Sequence, residues 1–258
     1  MIKYKKDMRT NLIIKNGKTP KTNRQWFNIA PPTKGKKQWV PYHSASELAD
    51  YFLCYQDKVP FEIDNVLDDA GVSKDASFVS EPECKTPLIP ESIFGINGPR
   101  NHDILMIAEN DVVIGVEAKA TETLDKYVTS YDISSDNAKL RYPGLCKQIL
   151  GKNIQECKNI RYQLLSAAAG TLIEAEKHSA KKAVLLVILF NSKIVSPLHV
   201  QATRENIEDF KNALKELEIN KGRTESFITP FKPEIELFVK FIVVDVCQYR
   251  NKQKLLVE

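Results

Sequence analysis

The chain has 258 residues, 43% hydrophobic and 27% charged, which is the make-up of a soluble globular protein able to bury a full core without staples. It contains no run of about 18 apolar residues to span a membrane. Its charged start, MIKYKKDMRTNLIIKNGK, lacks the apolar stretch of a secretory signal. Five cysteines, odd in number, widely spaced and without a CxxC pair, argue against a disulfide framework or a structural zinc site and fit reduced thiols in a cytoplasmic protein.

Charge is unevenly placed. Residues 1–40 carry eleven basic side chains (Lys3, Lys5, Lys6, Arg9, Lys15, Lys18, Lys21, Arg24, Lys34, Lys36 and Lys37) and one acid, Asp7. That is a formal +10, against −6 for the rest of a chain whose total is +4. A basic segment of this kind, 1–40, on a mildly acidic body, 41–258, suggests an anionic polymer as partner, most simply nucleic acid, or else a solvated terminal segment. Its breakers, Gly17, Pro20, Pro31, Pro32 and Gly35, read as turns and loops. Trp26, Phe27 and Trp39 read as anchors on the body, with stacking on bases as the alternative.

HSASELADYFLCYQ predicts a helix, with Ser44 as cap and Glu47 completing a capping box, and Leu48, Tyr51, Phe52 and Tyr55 at helical spacing. Residues 57–100 read as irregular, broken by five prolines, with a short strand in ASFVS. DILMIA and VVIGVEAKA, separated by END, predict a hairpin whose strands are apolar at consecutive positions and therefore covered on both faces. Residues 121–153 are polar, and SYDISSDNAK and RYPG look like loop in an insertion or mobile region. IQECKNIRYQLLSAAAGTLIEAEKHS predicts one long helix. KKAVLLVILF follows as a core strand, TRENIEDFKNALKELEI as an amphipathic helix and LFVKFIVVDVCQY as a last strand. The order is that of an α/β fold with a mixed central sheet flanked by helices on both faces.

The hairpin raises the chemical question, because Asp103, Glu117 and Lys119 sit in or beside apolar runs. Glu117 and Lys119 are two apart on a strand and share a face. A two-residue loop would pair 109 with 112 and turn Asp103 away from Glu117. A three-residue loop, 109–111, pairs 108 with 112 and sets Asp103 opposite Glu117, so the odd register, or an equivalent bulge, is expected. Buried charges need partners. One solution is a plain ion pair of Lys119 with a carboxylate. The other is a divalent cation between Asp103 and Glu117, with the Ala118 carbonyl as a further oxygen. Mg²⁺ suits such a site, since it takes one or two carboxylates, keeps waters and accepts phosphate oxygens. Lys119 would then orient the attacking water or stabilise developing charge.

An acid, a hairpin and an E-A-K triplet in an apolar strand, followed by a long helix and a buried strand, resemble the PD-(D/E)XK nuclease superfamily, with its restriction-endonuclease-like fold and α-β-β-β-α-β core, over roughly residues 44–190. Asp103 matches the first acid, Glu117 the second and Lys119 the lysine. The residue before the first acid, usually proline in that superfamily, is His102. The resemblance implies a Mg²⁺-dependent phosphodiesterase, with Mn²⁺ able to substitute, acting on nucleic acid, double-stranded DNA foremost, with a homodimer as one arrangement and restriction or antiphage defence as the context. It also implies auxiliary roles for Glu47 on the first helix and for Arg161, Tyr162 or Gln163 on the helix after the triplet, while Glu122 could add a ligand. The alternative is a module that keeps the fold and binds nucleic acid or protein without cleaving. His102-Asp103 also looks like the core pair of an HD phosphohydrolase, but His43, His178 and His199 do not complete that pattern. No P-loop, GxGxxG or GxSxG occurs.

Overall fold

The computed structural model describes residues 8–96, 98–223 and 225–255, with side chains as far as residue 250. Lys3, Lys5, Lys6 and Asp7 of the basic segment lie outside the described residues. Six strands form one sheet in the order β1-β2-β3-β4-β5-β6: β1 (Thr10–Ile13), β2 (Ser77–Thr86), β3 (Arg100–Ala108), β4 (Val112–Lys119), β5 (Lys182–Asn191) and β6 (Glu236–Asp245). β3 runs antiparallel to both of its neighbours, while β1 with β2, β4 with β5 and β5 with β6 are parallel. This is the expected mixed sheet. Every residue of β4 is buried, and eight of the ten in β5 are, because helices cover both faces.

One face packs against α1 (Asn23–Ile29), α2 (Ser44–Leu53), α3 (Phe61–Asp69) and α8 (Val246–Leu255), through a core that includes Trp26, Phe52, Leu67, Ile104, Val116, Leu186 and Tyr249. The other packs against α5 (Asp136–Leu150), α6 (Tyr162–Lys177) and α7 (Pro197–Lys215), with Leu105, Val113, Ile149, Leu165, Leu185 and Phe210 inside; Phe94 of the short α4 (Glu91–Phe94) joins them.

Residues 8–40 are not a separate appendage. β1 is the edge strand of the sheet, and Trp26 is 3% exposed in the core, so anchoring is its role. Arg9 is 1% exposed and donates to Asp64 at 2.7 Å, to Asp68 at 3.0 Å and to the Val72 carbonyl at 2.6 Å. Such a buried, fully partnered guanidinium is structural. Arg9→Ala, which strands the Asp64 carboxylate, is expected to cost about 3–5 kcal/mol. Urea unfolding checks this, and an unchanged midpoint would return the segment to the role of a tail.

Several expected boundaries move. Ser44 does not cap α2: it is the first helical residue, and its N–H and hydroxyl donate to Glu122 at 3.2 Å. α3 lies in the stretch read as irregular, behind Pro60, where a proline at the helix entry costs no internal hydrogen bond. The polar insertion expected at 121–153 holds α5, despite Pro143 and Gly144 in its interior. Burial of Leu145, Cys146, Ile149 and Leu150 offsets the missing N–H. Gly144 is required there because a Cβ would stand 2.2 Å from the Ile93 carbonyl oxygen. The long helix breaks into a 3₁₀ turn, Ile154–Cys157, closed by an Asn153–Glu156 capping box, and α6. The last strand ends at Asp245, whose carboxylate accepts from the Cys247 N–H and starts α8.

Candidate active site

The β3–β4 turn spans 109–111, and the ladder runs from Ala108↔Val112 to Ile104↔Val116, the odd register expected. Asn110 takes the left-handed conformation (φ 61°), and the Asp111 N–H closes the turn on the Ala108 carbonyl at 3.2 Å. Continued one step, this register sets Asp103 opposite Glu117.

A kink shared by two strands finishes the placement. β2 and β3 pair from Val79↔Ile107 to Pro82↔Ile104 and resume at Cys84↔His102, so Glu83 and Asp103 face each other without a ladder pair, and Glu83 has φ 49°. Side-chain alternation slips here. Ile104 and Met106 belong to the α2 core, yet the His102 ring lies against Gly170 of α6, and Thr86 donates to Glu174 of the same helix at 2.8 Å. The slip carries Arg100 to the α6 side as well, where it meets Glu117.

Asp103 and Glu117 line one cleft of about 340 Å³ with Gly98, Pro99, Arg100, Asn101, Arg141, Tyr162, Gln163 and Ser166. Glu117, 2% exposed, carries most of the polar contacts. Its Oε1 accepts from Lys119 Nζ at 2.5 Å and from Gln163 Nε2, and its Oε2 from Arg100 Nη2. Burial pushes its carboxyl up, but Lys119 and Arg100 outweigh that and hold it below the usual range. Asp103 differs. Its Oδ2 accepts from the Ala118 N–H at 2.7 Å, and its other oxygen has no partner among the described residues. Burial, then the Glu117 charge, push its carboxyl up to about 8.

Of the residues singled out in the sequence, the structure brings together Asp103, Glu117, Ala118, Lys119, Tyr162 and Gln163. The Gln163 side-chain oxygen Oε1 also accepts from the Asp125 N–H at 3.2 Å, which fixes its amide toward Glu117. Glu47 is not with them. Fully buried, it accepts from the Tyr42 N–H at 2.6 Å, from Tyr249 and from Arg250, and so ties α2 to α8. Glu122 accepts from the Ala120 N–H at 3.0 Å and from Ser44, pinning the start of α2 to the end of β4. Arg161 donates to Asn206 at 2.7 Å and to the Asp125 carbonyl at 3.1 Å, with its guanidinium over the Tyr127 ring, so it shapes the entry of α6 instead of reaching the cleft. His102 is fully buried and held neutral, its nitrogens pushed down to about 3 by burial and then by Arg100, and it does not line the cleft. Arg100 and Arg141 were missed: Arg141 sits in the RYPG segment read as loop, and Arg100 reaches the site only through the kink.

The donor set suits a hard cation. Among the described residues no three His, Cys, Asp or Glu side chains gather closely enough to hold a metal, so an ion here would have the two carboxylates plus backbone, water or substrate oxygens. That is the ligand set Mg²⁺ takes. The high Asp103 pKa and its open oxygen mark a place where added positive charge would be stabilising.

A family model described as Domain of unknown function (DUF6946) matches residues 20–245. The chain belongs to that family. The match starts within the basic segment and ends with β6, so it spans α1 to α7, on both faces of the sheet, and the whole cleft, and leaves out β1 and α8. No curated protein and no solved structure matches this DUF6946 chain. Among the described residues no helix is long and apolar enough to cross a membrane.

Proposed function

We propose that this DUF6946 protein is a Mg²⁺-dependent nuclease of restriction-endonuclease-like fold, hydrolysing phosphodiester bonds in nucleic acid, double-stranded DNA foremost. The observation that carries the proposal is that Asp103 and Glu117 line one cleft at the rim of an otherwise apolar sheet, with Lys119 bonded to Glu117. The order α2-β2-β3-β4-α6-β5, with β3 antiparallel to both neighbours, supports the α-β-β-β-α-β core that the sequence resemblance implies.

Asp103 and Glu117 would hold the cation, with the Ala118 carbonyl beside them. The bound ion would lower the pKa of a coordinated water and polarise the scissile phosphate. The remaining chemistry belongs to the chain. Lys119, 7% exposed, keeps an ammonium within 2.5 Å of Glu117 and is placed to stabilise charge developing on the phosphate. Gln163 orients Glu117 through its amide N–H. The described lysines and arginines of the basic segment, other than buried Arg9 and Lys15, which pairs with Glu81 at 2.7 Å, are available to the phosphate backbone of a long substrate, where their contribution weakens with salt.

Cleavage of plasmid and of single-stranded oligonucleotides, in Mg²⁺ and in Mn²⁺, tests the proposal. Activity in the wild type, with a loss of about 10³-fold in Lys119→Ala, is expected. Equal activity in both proteins would dismiss it, and inactivity of a folded wild type that still binds DNA would favour the non-cleaving module.

The Asp103 carboxyl sets the pH dependence of metal binding. A cation must displace its proton, so Mg²⁺ affinity should rise as pH climbs toward about 8 and level off above it, with close to one proton released per ion at pH 7. Calorimetry in buffers of different ionisation enthalpy reads that proton directly. Affinity that is flat from pH 6 to 9 would place the ion elsewhere.

A further inference from the structure

We infer that Arg100 and Arg141 form a phosphate-binding wall of the cleft, and that Arg100 exchanges partners, leaving Glu117 for a substrate phosphate when a divalent cation takes that carboxylate. This rests on the metal-site reading above and adds to it which cations meet the substrate and how the two ligands are coupled.

The argument begins with the Glu117 carboxylate. It serves three donors, but Arg100 has Oε2 to itself, whereas Lys119 and Gln163 share Oε1. A cation can therefore gain Oε2 at the expense of one hydrogen bond, and the group displaced is Arg100. The Arg100 side chain is 10% exposed, and its Nε is buried without an acceptor among the described residues even before any displacement. A guanidinium so enclosed has little water to turn to, and an unmet buried donor is costly. Phosphate matches the guanidinium fork with two parallel acceptors.

Arg141 supplies the second cation. It is 4% exposed and lines the same cleft from α5, with Nε donating to the Phe94 carbonyl at 3.1 Å and Nη1 to the Tyr162 hydroxyl at 3.5 Å. Both contacts orient the guanidinium toward the cleft it lines. The side chain is held by a helix that carries a proline and a glycine in its interior, and by the close approach of the Ile93 backbone that Gly144 permits. Two carboxylates and two guanidiniums lining one cleft describe a slot for a cation and a phosphate together. Because Arg100 opposes the cation and favours the phosphate, each ligand should tighten the other by the same factor.

Calorimetric titration of the full chain with Ca²⁺, and separately with thymidine 3′,5′-bisphosphate, which offers no phosphodiester to cut, tests the exchange. Phosphate affinity should rise about tenfold in saturating Ca²⁺. In Arg100→Gln it should fall about tenfold while Ca²⁺ affinity increases, and these opposite signs are not what a merely structural residue would give. Arg141→Gln should weaken the bisphosphate about tenfold and leave Ca²⁺ alone. If that variant melts early, Arg141→Lys, which keeps the charge and loses the fork, should weaken it by a smaller factor. Ca²⁺ binding with the bisphosphate unaffected by both arginine variants overturns this inference and leaves the metal site standing. Failure of Ca²⁺ to bind at all overturns the metal-site reading itself, and the exchange with it.

Discussion

Asp103→Asn is expected to abolish Mg²⁺-dependent cleavage, by about 10³-fold or more, and at the same time to stabilise the metal-free protein. The two effects share one cause. Burial beside Glu117 raises the folded-state pKa of Asp103 to about 8, against about 3.9 in an unfolded chain. Between those values the folded protein holds a proton that the unfolded one releases. Stability is therefore full at low pH and declines as pH rises through this window. Asparagine removes the penalty and can still accept from the Ala118 N–H. The gain should be on the order of 1–3 kcal/mol at pH 8.5 and vanish near pH 4. Urea melts of both proteins in chelator, at the two pH values, measure it; a variant less stable than wild type at pH 8.5 would show that Asp103 is already a comfortable carboxylate.

Glu117→Gln should abolish cleavage to a similar extent with the opposite effect on stability. Here the carboxylate is the partner that makes two buried cations tolerable, Lys119 at 2.5 Å and Arg100 beside it. An amide leaves both cations uncompensated, and the cost is about 3–5 kcal/mol. The same urea melts decide it. Two carboxylates on adjacent strands, equal in their effect on turnover and opposite in their effect on folding, are a pattern a plain structural ion pair does not produce. Removing the acid from such a pair destabilises and leaves turnover elsewhere untouched.

The sequence carried the centre of this site because the hairpin is governed by parity. A three-residue turn at 109–111 leaves one way for Asp103 to meet Glu117, and the strands are too apolar to accept the charges by accident. Gln163 was legible only through the family resemblance, which offered Arg161, Tyr162 and Gln163 alike, and the cleft takes the last two. The rim was not. Arg141 lies three residues before the end of a Tyr-Pro-Gly run that reads as a loop, and only the burial of α5 against the sheet and Ile93 turns that run into helix. Arg100 reaches the cleft because alternation slips at Glu83 and Asp103, and nothing in the local pattern signals a kink shared by two strands. Glu47 failed for a related reason: its partners Tyr249 and Arg250 lie some 200 residues away on a helix that the apolar run VVDVCQY disguises as strand.

Titration with Mn²⁺ followed by electron paramagnetic resonance bears most directly on whether a hydrated cation belongs between Asp103 and Glu117. One ion per chain in the wild type, competed by Mg²⁺ and lost in Asp103→Asn while the fold persists, is the expected result. Mn²⁺ that stays free at millimolar concentration, or binds equally well to the variant, would contradict it.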